Sequence, residues 1–275
     1  MKIDLHIHSE YSIDGISSIS EIIEITSGLD YISITDHDSI DAHKDPIASD
    51  HPKVITGCEF TCFYENPTNM LHLLAYKFNT NDMLPFFCEY NNIIMNKAEW
   101  IIDYFKSHFG INYSIYRLLS DIGVEKLPQN AYQIAEHILA ANQNNNGFVN
   151  YLNSGNKAGH KYRDVFMDFI HYPEFVAMLN SYNRILELIK SAGGFLVLAH
   201  PSKCKSELLY SLLESNTLDG IESEYLAHTS DQRSYYQRLA TDYNLFCTAG
   251  SDYHGTQGRQ KLITSNFKGD TKWLE

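Results

Sequence analysis

The strongest constraint on the fold is a series of short apolar segments, rich in β-branched residues, that end in polar residues. Seven of them are predicted strands: Ile3–His8, Tyr31–Thr35, Val54–Phe60, Leu71–Tyr76, Phe195–His200, Gly220–Ser223 and Leu245–Gly250. Residues 19–25, which follow two serines, have the apolar spacing of a helix, and residues 38–49 are predicted to form another helix. This alternation predicts an α/β barrel or wound sheet in which most strands are parallel.

One connection between strands is too short for a parallel pair. Only residues 61–70 lie between the third and fourth predicted strands, and Asn66-Pro67 is a turn signal. Because a parallel connection needs a dozen or more residues, we expect these two strands to form an antiparallel hairpin. Glu59, near the end of the third strand, and His72, near the start of the fourth, should then lie at the same edge of the sheet.

Residues 79–185 interrupt the alternation of strands and helices. Residues 96–109 and 133–141 have amphipathic helical spacing, and residues 143–147 form a polar segment typical of a loop. The alternation resumes near Leu186. We therefore predict a barrel-like domain made of residues 1–78 and 186–275, with a mostly helical insertion, residues 79–185, after strand four.

Charge and cysteine content limit the classes of partner and compartment. The 275 residues carry a formal net charge of −13, which disfavours a general nucleic-acid coat. Five irregularly spaced cysteines do not suggest a disulfide framework, so we expect reduced thiols and a cytoplasmic location. No apolar run approaches the roughly 18 residues needed to span a bilayer, so no membrane association is expected, and no protein partner is predicted.

The opening segment, D4LHIHSEYSIDG15, contains two histidines on one side of a predicted strand. Side chains alternate along a strand, so His6 and His8 point the same way, as two ligands of a divalent metal would. A surface strand with two unrelated histidines is the alternative for this pair alone. Metal-ligand residue types, however, close six of the seven predicted strands, and in barrels that rim carries function.

The segments DLHIHSEYSIDG, ITDHD, GCEFT, HLLAY, VLAHP and AGSDYHG, in this order, resemble the PHP (polymerase and histidinol phosphatase) family of metal-dependent phosphoesterases. The resemblance covers residues 1–78 and 186–275. It implies an α/β fold, a distorted (β/α)7 barrel with the helical insertion after strand four. It also implies three divalent ions, which could be Zn, Mn or Fe, held by nine side chains.

The resemblance assigns those nine side chains to three ions. The first ion would be held by His6, His8, Glu59 and Asp252. Glu59 would bridge to the second ion, together with His72 and His200. The third ion would be held by Asp14, His37 and His254. Six other histidines, at positions 43, 51, 108, 137, 160 and 171, are expected to be surface or helix-face residues.

The implied reaction is hydrolysis of a phosphate ester by in-line attack of a metal-bridging hydroxide, with no covalent enzyme intermediate. The chain most resembles the branch of the family that acts on nucleotide or short oligonucleotide phosphates, in which a helical insertion covers the site. His228 is then a candidate substrate contact or general acid, with an ordinary loop histidine as the alternative. Lys157, Lys161 and Arg163 are candidate phosphate ligands, with a solvated basic stretch as the alternative.

One departure from that branch concerns the substrate: Leu127-Pro128 stands where related sequences often have Arg-Pro. The expected partner is a small phosphorylated molecule or a short nucleic acid. Three alternatives stay open: a histidinol-phosphate phosphatase, a catalytically inactive interaction module, and an amidohydrolase that cleaves C–N bonds. The last would need a bridging lysine on strand four, and the nearest, Lys77, lies beyond the apolar run.

Overall fold

The computed structural model describes residues 1–66, 69–122, 131–154, 181–255, 261–263 and 266–274. Within these residues a seven-stranded sheet follows the chain order. Its strands are β1 (Ile3–Ile7), β2 (Tyr31–Ile34), β3 (Val54–Phe63), β4 (Met70–Tyr76), β5 (Phe195–Leu198), β6 (Gly220–Tyr225) and β7 (Phe246–Gly250). The predicted α/β barrel fold is confirmed.

Strand β4 runs against the rest of the sheet. It pairs antiparallel with both β3 and β5, whereas the other neighbouring strands are parallel. The predicted β3–β4 hairpin is therefore confirmed, although β3 continues three residues past its predicted end, to Phe63. The longer pairing places Thr61 opposite His72.

The two edge strands of the sheet approach each other, which nearly closes the barrel. The backbone N–H of Asp252 donates to the carbonyl of His6 at 2.9 Å, and that of His8 donates to the carbonyl of Tyr253 at 2.8 Å. Both bonds join β1 to the segment that follows β7. The ends of the first and last strands therefore meet at one rim.

The described helices are α1 (Ile19–Ile25), α2 (Pro46–Ser49), α3 (Thr80–Phe109), α4 (Ile115–Ile122), α5 (Ala131–Ala141), α6 (Asn146–Ser154), α7 (Tyr182–Ser191), α8 (Ser206–Glu214) and α9 (Ser230–Asp242). No helix among the described residues is both long and apolar enough to cross a membrane. The five cysteines are free thiols, and two of them, Cys58 and Cys62, are buried.

Two helix predictions and one loop prediction were wrong in their extent. Residues 38–49 form a 3-10 turn at Asp41–Lys44 followed by α2, because Asp45 caps a new helix whose first residue is Pro46. Helix α3 begins 16 residues before the predicted start and contains Pro85 in its second turn. Residues 146–147 belong to α6, because the side chain of Asn145 accepts the backbone N–H of Phe148 at 3.1 Å.

The chain divides into two compact units, residues 1–84 with 180–275, and residues 85–179. In the first unit, apolar side chains of β1, β4 and β5 pack in one cluster, which includes Leu5, Leu74 and Val197. The second unit has a core of its own around Ile101, Phe105 and other side chains of α3 to α6. Each unit thus buries apolar surface independently.

His43, which we expected at the surface or on a helix face, is half-buried and contacts the backbone of two strands. It lies in the 3-10 turn after β2, and its Nε2 is 2.9 Å from the carbonyl oxygen of Ile34 and 2.8 Å from that of Gly57. Burial lowers its pKa, so the ring is neutral at pH 7. Nε2 also lies 3.0 Å from the backbone nitrogen of Gly57, so it either donates to the two carbonyl oxygens or accepts the N–H of Gly57, depending on the tautomer. The ring therefore fastens this turn to β2 and β3.

Replacing His43 with alanine should reduce the free energy of unfolding by about 1–3 kcal/mol, because buried backbone groups of β2 and β3 lose a hydrogen-bond partner. Urea denaturation in EDTA would measure the change without a contribution from metal binding. His108→Ala, which removes an exposed histidine from α3, is the control and should change the value by less than about 0.5 kcal/mol. Equal stability of the two variants would contradict this role.

Candidate metal centre

A buried carboxylate, Glu59 on β3, lies at the centre of a group of histidines. Its side chain has no exposed surface. Five imidazole nitrogens lie within 3.4 Å of its two oxygens. Oε1 is 2.9 Å from His72 Nδ1 and 3.0 Å from His200 Nε2, and Oε2 is 3.0 Å from His6 Nε2, 3.1 Å from His8 Nε2 and 3.4 Å from His37 Nδ1.

Three groups of potential ligand atoms are compact enough to hold a metal ion. Within each group the ligand atoms lie within 4.8 Å of one another. Ligands at 2.0–2.2 Å from one ion are separated by at most about 4.4 Å, so small adjustments would close each group around an ion. The groups are His6, His8, Glu59 and Asp252; His37, Glu59 and His72; and His8, Asp14, His37 and His254.

The structure brings all nine predicted ligands to this rim. The first group has the residues predicted for the first ion, and the third group adds His8 to those predicted for the third. The second group differs from the set predicted for the second ion, because it contains His37 in place of His200. His200 lies outside the three groups, but its Nε2 contacts Glu59 Oε1. The role of each residue as a metal ligand stays a prediction.

One buried atom tests whether the residues suit a metal. His8 Nε2 is 3.1 Å from Glu59 Oε2 and 3.5 Å from Asp252 Oδ1, yet it forms no well-directed hydrogen bond with any described residue. Buried polar atoms in folded proteins normally have a partner. A nitrogen beside two carboxylates without such a bond is what a metal ligand would show.

The electrostatics of the rim depend on contacts between its acids and histidines. Burial alone would raise the pKa of Glu59, Asp14 and Asp252, but neighbouring histidines hold all three pKa values below the ordinary range. Burial alone would lower the pKa of His8, but Asp252 and Glu59 raise it to about 9. Burial lowers the pKa of His37 to about 3. The carboxylates are thus anionic at neutral pH, as metal binding requires.

Ser12 and Asp36 hold the loop that carries several of these residues. The hydroxyl of Ser12 is 3.2 Å from His8 Nδ1, donates to Asp14 Oδ1 at 3.0 Å and accepts the backbone N–H of His37 at 3.1 Å. Asp36 accepts the backbone N–H and the hydroxyl of Ser9 at 2.6 and 2.7 Å. We did not single out Ser12 from the sequence, although it lies within the D4–G15 segment.

Asp252 faces the histidines with one oxygen and a lysine with the other. Oδ1 is 3.5 Å from Nε2 of both His6 and His8. Oδ2 accepts the hydroxyl of Tyr225 at 3.0 Å and the ammonium of Lys203 at 3.2 Å, and the ammonium also lies 5.1 Å from the centre of the Tyr225 ring. Lys203 follows His200-Pro201, and its half-exposed cation at the rim was not predicted.

The predicted substrate contacts lie outside the three ligand groups or outside the described residues. His228 is buried. Its Nδ1 is 3.1 Å from the carbonyl oxygen of Ser223, and its Nε2 is 3.0 Å from the hydroxyl of Ser202. It belongs to none of the three groups, and its role as a substrate contact stays a prediction. Lys157, Lys161 and Arg163 lie outside the described residues.

Lys77 is not a bridging lysine in this structure. Its ammonium donates to the backbone carbonyls of Trp273 and Leu274 at 3.1 and 3.2 Å. It therefore fastens the C-terminal segment to the end of β4. The cation expected of an amidohydrolase centre is not supplied by this residue.

Two proteins are similar to the chain in sequence. A phosphoribosyl 1,2-cyclic phosphate 1,2-diphosphodiesterase from Eggerthella lenta is 43% identical over 75 residues, which are 27% of this chain and 28% of that protein. The match thus spans less than a third of that relative. A 5'-3' exoribonuclease from Haemophilus influenzae is 25% identical over 267 residues, which are 92% of this chain and 90% of that protein.

Solved structures share the fold. A protein from Bifidobacterium adolescentis described as a candidate metal-dependent phosphoesterase matches with a TM-score of 0.63 and 21% identity, over 96% of this chain and 91% of its own. An amidohydrolase from Chromobacterium violaceum, with bound sulfate and no metal, matches with a TM-score of 0.64 and 18% identity, over 92% and 88%. The sequence model of the PHP domain family matches residues 4–235. The resemblance seen in the sequence is confirmed, and the chain belongs to the PHP domain family.

Proposed function

We propose that the protein hydrolyses a phosphate ester of a small metabolite, nucleotide or short oligonucleotide, using divalent ions held by the nine rim residues. The observation that carries this proposal is the contact of both Glu59 oxygens with five imidazoles. A carboxylate that faces histidines on both sides can bridge two ions. Membership of the PHP family supports phosphoester hydrolysis as the reaction class.

When bound, the ions lower the pKa of water from 15.7 toward about 7 and neutralise negative charge on phosphoryl oxygens. Zn, Mn and Fe all suit the mixed imidazole and carboxylate donors, and the three groups of described residues contain no thiol. The chain itself orients the donors. The Ser12 hydroxyl contacts His8 and Asp14, and Glu59 contacts the histidines on either side of it.

Lys203 supplies the chain's own cation for an anionic substrate. An ammonium has three N–H donors, and one of them is directed at Asp252 Oδ2. Since the side chain is 47% exposed, the remaining donors can meet a phosphoryl oxygen from solvent. The ring of Tyr225 holds the ammonium at the rim through a cation–π contact.

The substrate class rests on charge and on the named relatives. The net charge of −13 disfavours long nucleic acid, whereas a mononucleotide or a short oligonucleotide could reach a rim neutralised by bound ions. The exoribonuclease from Haemophilus influenzae matches nearly the full chain, which supports a nucleotide or oligonucleotide phosphate. The cyclic phosphodiesterase from Eggerthella lenta matches only the 75-residue segment.

A substrate panel would rank these possibilities. It should contain nucleoside monophosphates, a cyclic phosphate, a 5'-phosphorylated oligoribonucleotide and histidinol phosphate, each with the metal-loaded protein. We expect the highest kcat/KM for a nucleotide or oligonucleotide. Faster turnover of histidinol phosphate would favour the alternative phosphatase, and no turnover of any ester would favour the inactive module.

The metal-loaded protein should contain about three divalent ions per chain, because three groups of ligands meet at the rim. Metal analysis after reconstitution and gel filtration measures this number. Asp252→Ala should lower it by about one ion, whereas Asp242→Ala, an exposed position in α9, should leave it unchanged. One ion or none in the unaltered protein would contradict the proposed centre.

Replacing His200 or Asp252 with alanine should lower kcat by at least about 100-fold. Loss of even a few kcal/mol of metal-derived stabilisation of the transition state has that effect. Steady-state kinetics with the best substrate of the panel would measure it, with circular dichroism to verify the fold. His108→Ala is the matched control for the histidine. Full activity of either alanine variant would show that the ligand is misassigned.

Lys203→Ala should raise KM for an anionic ester by about tenfold, since a charge-assisted hydrogen bond to the substrate is lost. Lys203→Arg should keep most of the affinity because it retains the charge. Lys205→Ala, which removes an exposed lysine two residues later, is the control. If the variants at positions 203 and 205 have the same KM, the phosphate does not contact Lys203.

A further inference from the structure

Strand β6 provides no residue to the three ligand groups, although it passes beside them. The groups and His200 draw on β1, β3, β4 and the segments that follow β1, β2, β5 and β7. Glu222, in the middle of β6, nevertheless has no exposed surface. A buried carboxylate is costly unless its oxygens accept hydrogen bonds. Its partners therefore indicate what it does.

One oxygen of Glu222 contacts a predicted metal ligand, His6, on the side of the ring that faces away from the ion site. Oε1 lies 2.9 Å from His6 Nδ1, while the opposite ring nitrogen, Nε2, lies 3.0 Å from Glu59 Oε2. If Nδ1 carries the proton and donates it to Glu222, the lone pair of Nε2 faces the ion site. Metal-binding histidines commonly have such a carboxylate partner, which fixes the tautomer and the ring orientation.

The other oxygen of Glu222 supports a second predicted ligand through its backbone. The N–H of His200 donates to Oε2 at 2.6 Å. His200 has a φ of 26° and a ψ of 63°, a conformation that L-residues rarely adopt, and this conformation accompanies the contact of its imidazole with Glu59. A short hydrogen bond to a carboxylate is strong enough to help hold this backbone.

The neighbouring strand leaves space for this arrangement. A Cβ atom at Gly250, at the end of β7, would lie 2.1 Å from Glu222 Oε1 and 2.3 Å from His6 Cβ. Both distances are shorter than any non-bonded contact allows. Glycine at this position is therefore needed for Glu222 and His6 to meet.

We propose that Glu222 is a positioning residue of the metal centre, which fixes the tautomer of His6 and the backbone of His200 at the same time. The proposal rests on the metal-dependent function proposed above. A single carboxylate serves both contacts because it has an acceptor oxygen for each. It thereby couples the predicted first and second ion sites, which β1 and β5 bring to the rim.

Glu222→Gln tests the proposal with almost no change in volume. The amide has one acceptor oxygen, so it can serve either His6 or the backbone of His200, and its NH2 group opposes the N–H at the other contact. We expect metal affinity to fall by about 10- to 100-fold, measured by competition with a chelator. We also expect the visible spectrum of the Co2+-substituted protein to change, and activity to return at saturating metal with KM unchanged.

Glu224→Gln is the matched control. It makes the same chemical change two residues later on β6, where the side chain accepts a hydrogen bond from Gln237 instead. Equal metal affinity and equal Co2+ spectra for the Glu222 and Glu224 variants would overturn the proposal. This comparison remains decisive even if the unaltered protein binds metals but hydrolyses no phosphate ester, an outcome that would refute only the proposed function.

Thermal unfolding in EDTA would show whether Glu222→Gln keeps its fold without metal. If it does not, Glu222→Asp replaces it. The shorter side chain keeps the charge but draws the carboxylate back by one methylene, so it cannot reach both partners. The same fall in metal affinity is expected, and an affinity equal to that of the unaltered protein would overturn the proposal.

Discussion

The fold is organised around one buried carboxylate and the five imidazoles that surround it. Glu59 has no exposed surface, and an uncompensated charge at such a position would cost several kcal/mol. Its partners come from β1 and its C-terminal end, from β4 and from the segments after β2 and β5, so four separate parts of the chain must converge on it. In a flat sheet, β1 and β5 would be four strand spacings apart, or about 19 Å. The ring centres of His6 and His200 are 5.7 Å apart, which only a curled, nearly closed sheet allows.

The antiparallel direction of β4 also brings a histidine to Glu59. His72 is the third residue of β4, and the strand enters the sheet from the rim at which its neighbours end. A parallel strand of seven residues, about 23 Å long, would begin at the opposite edge and carry His72 away from Glu59. The short hairpin between β3 and β4 is thus part of the design of the centre.

The sequence predicts those features that depend on local patterns. Alternation within the first strand placed His6 and His8 on one side, and the length of the connection after β3 required a hairpin. The family resemblance then supplied the ion assignments, which the positions of Asp14 and His254 fit. Element ends were less predictable, because side-chain caps such as those of Asn145 and Asp45 decide them.

Residues that support the site through distant partners had no local signal. Glu222 contacts His6 across 216 residues of sequence, and its segment reads as an ordinary strand with an acidic residue. The contacts of His43 had no local signal either, because the carbonyl groups that it approaches belong to two strands. Such contacts become visible only when the sheet has closed, since the spacing of residues along the chain contains no information about which side chain stands behind a ligand.

The residues of the candidate metal centre all lie in one of the two compact units. All nine candidate ligands, together with Glu222 and Lys203, belong to the unit formed by residues 1–84 and 180–275. The described residues of the second unit have a core of their own. Residues at the rim constrain one another through shared contacts. Moving Glu222 alters His6 and His200, and moving Asp252 alters Lys203 and Tyr225. The metal centre should therefore tolerate little change at its own rim.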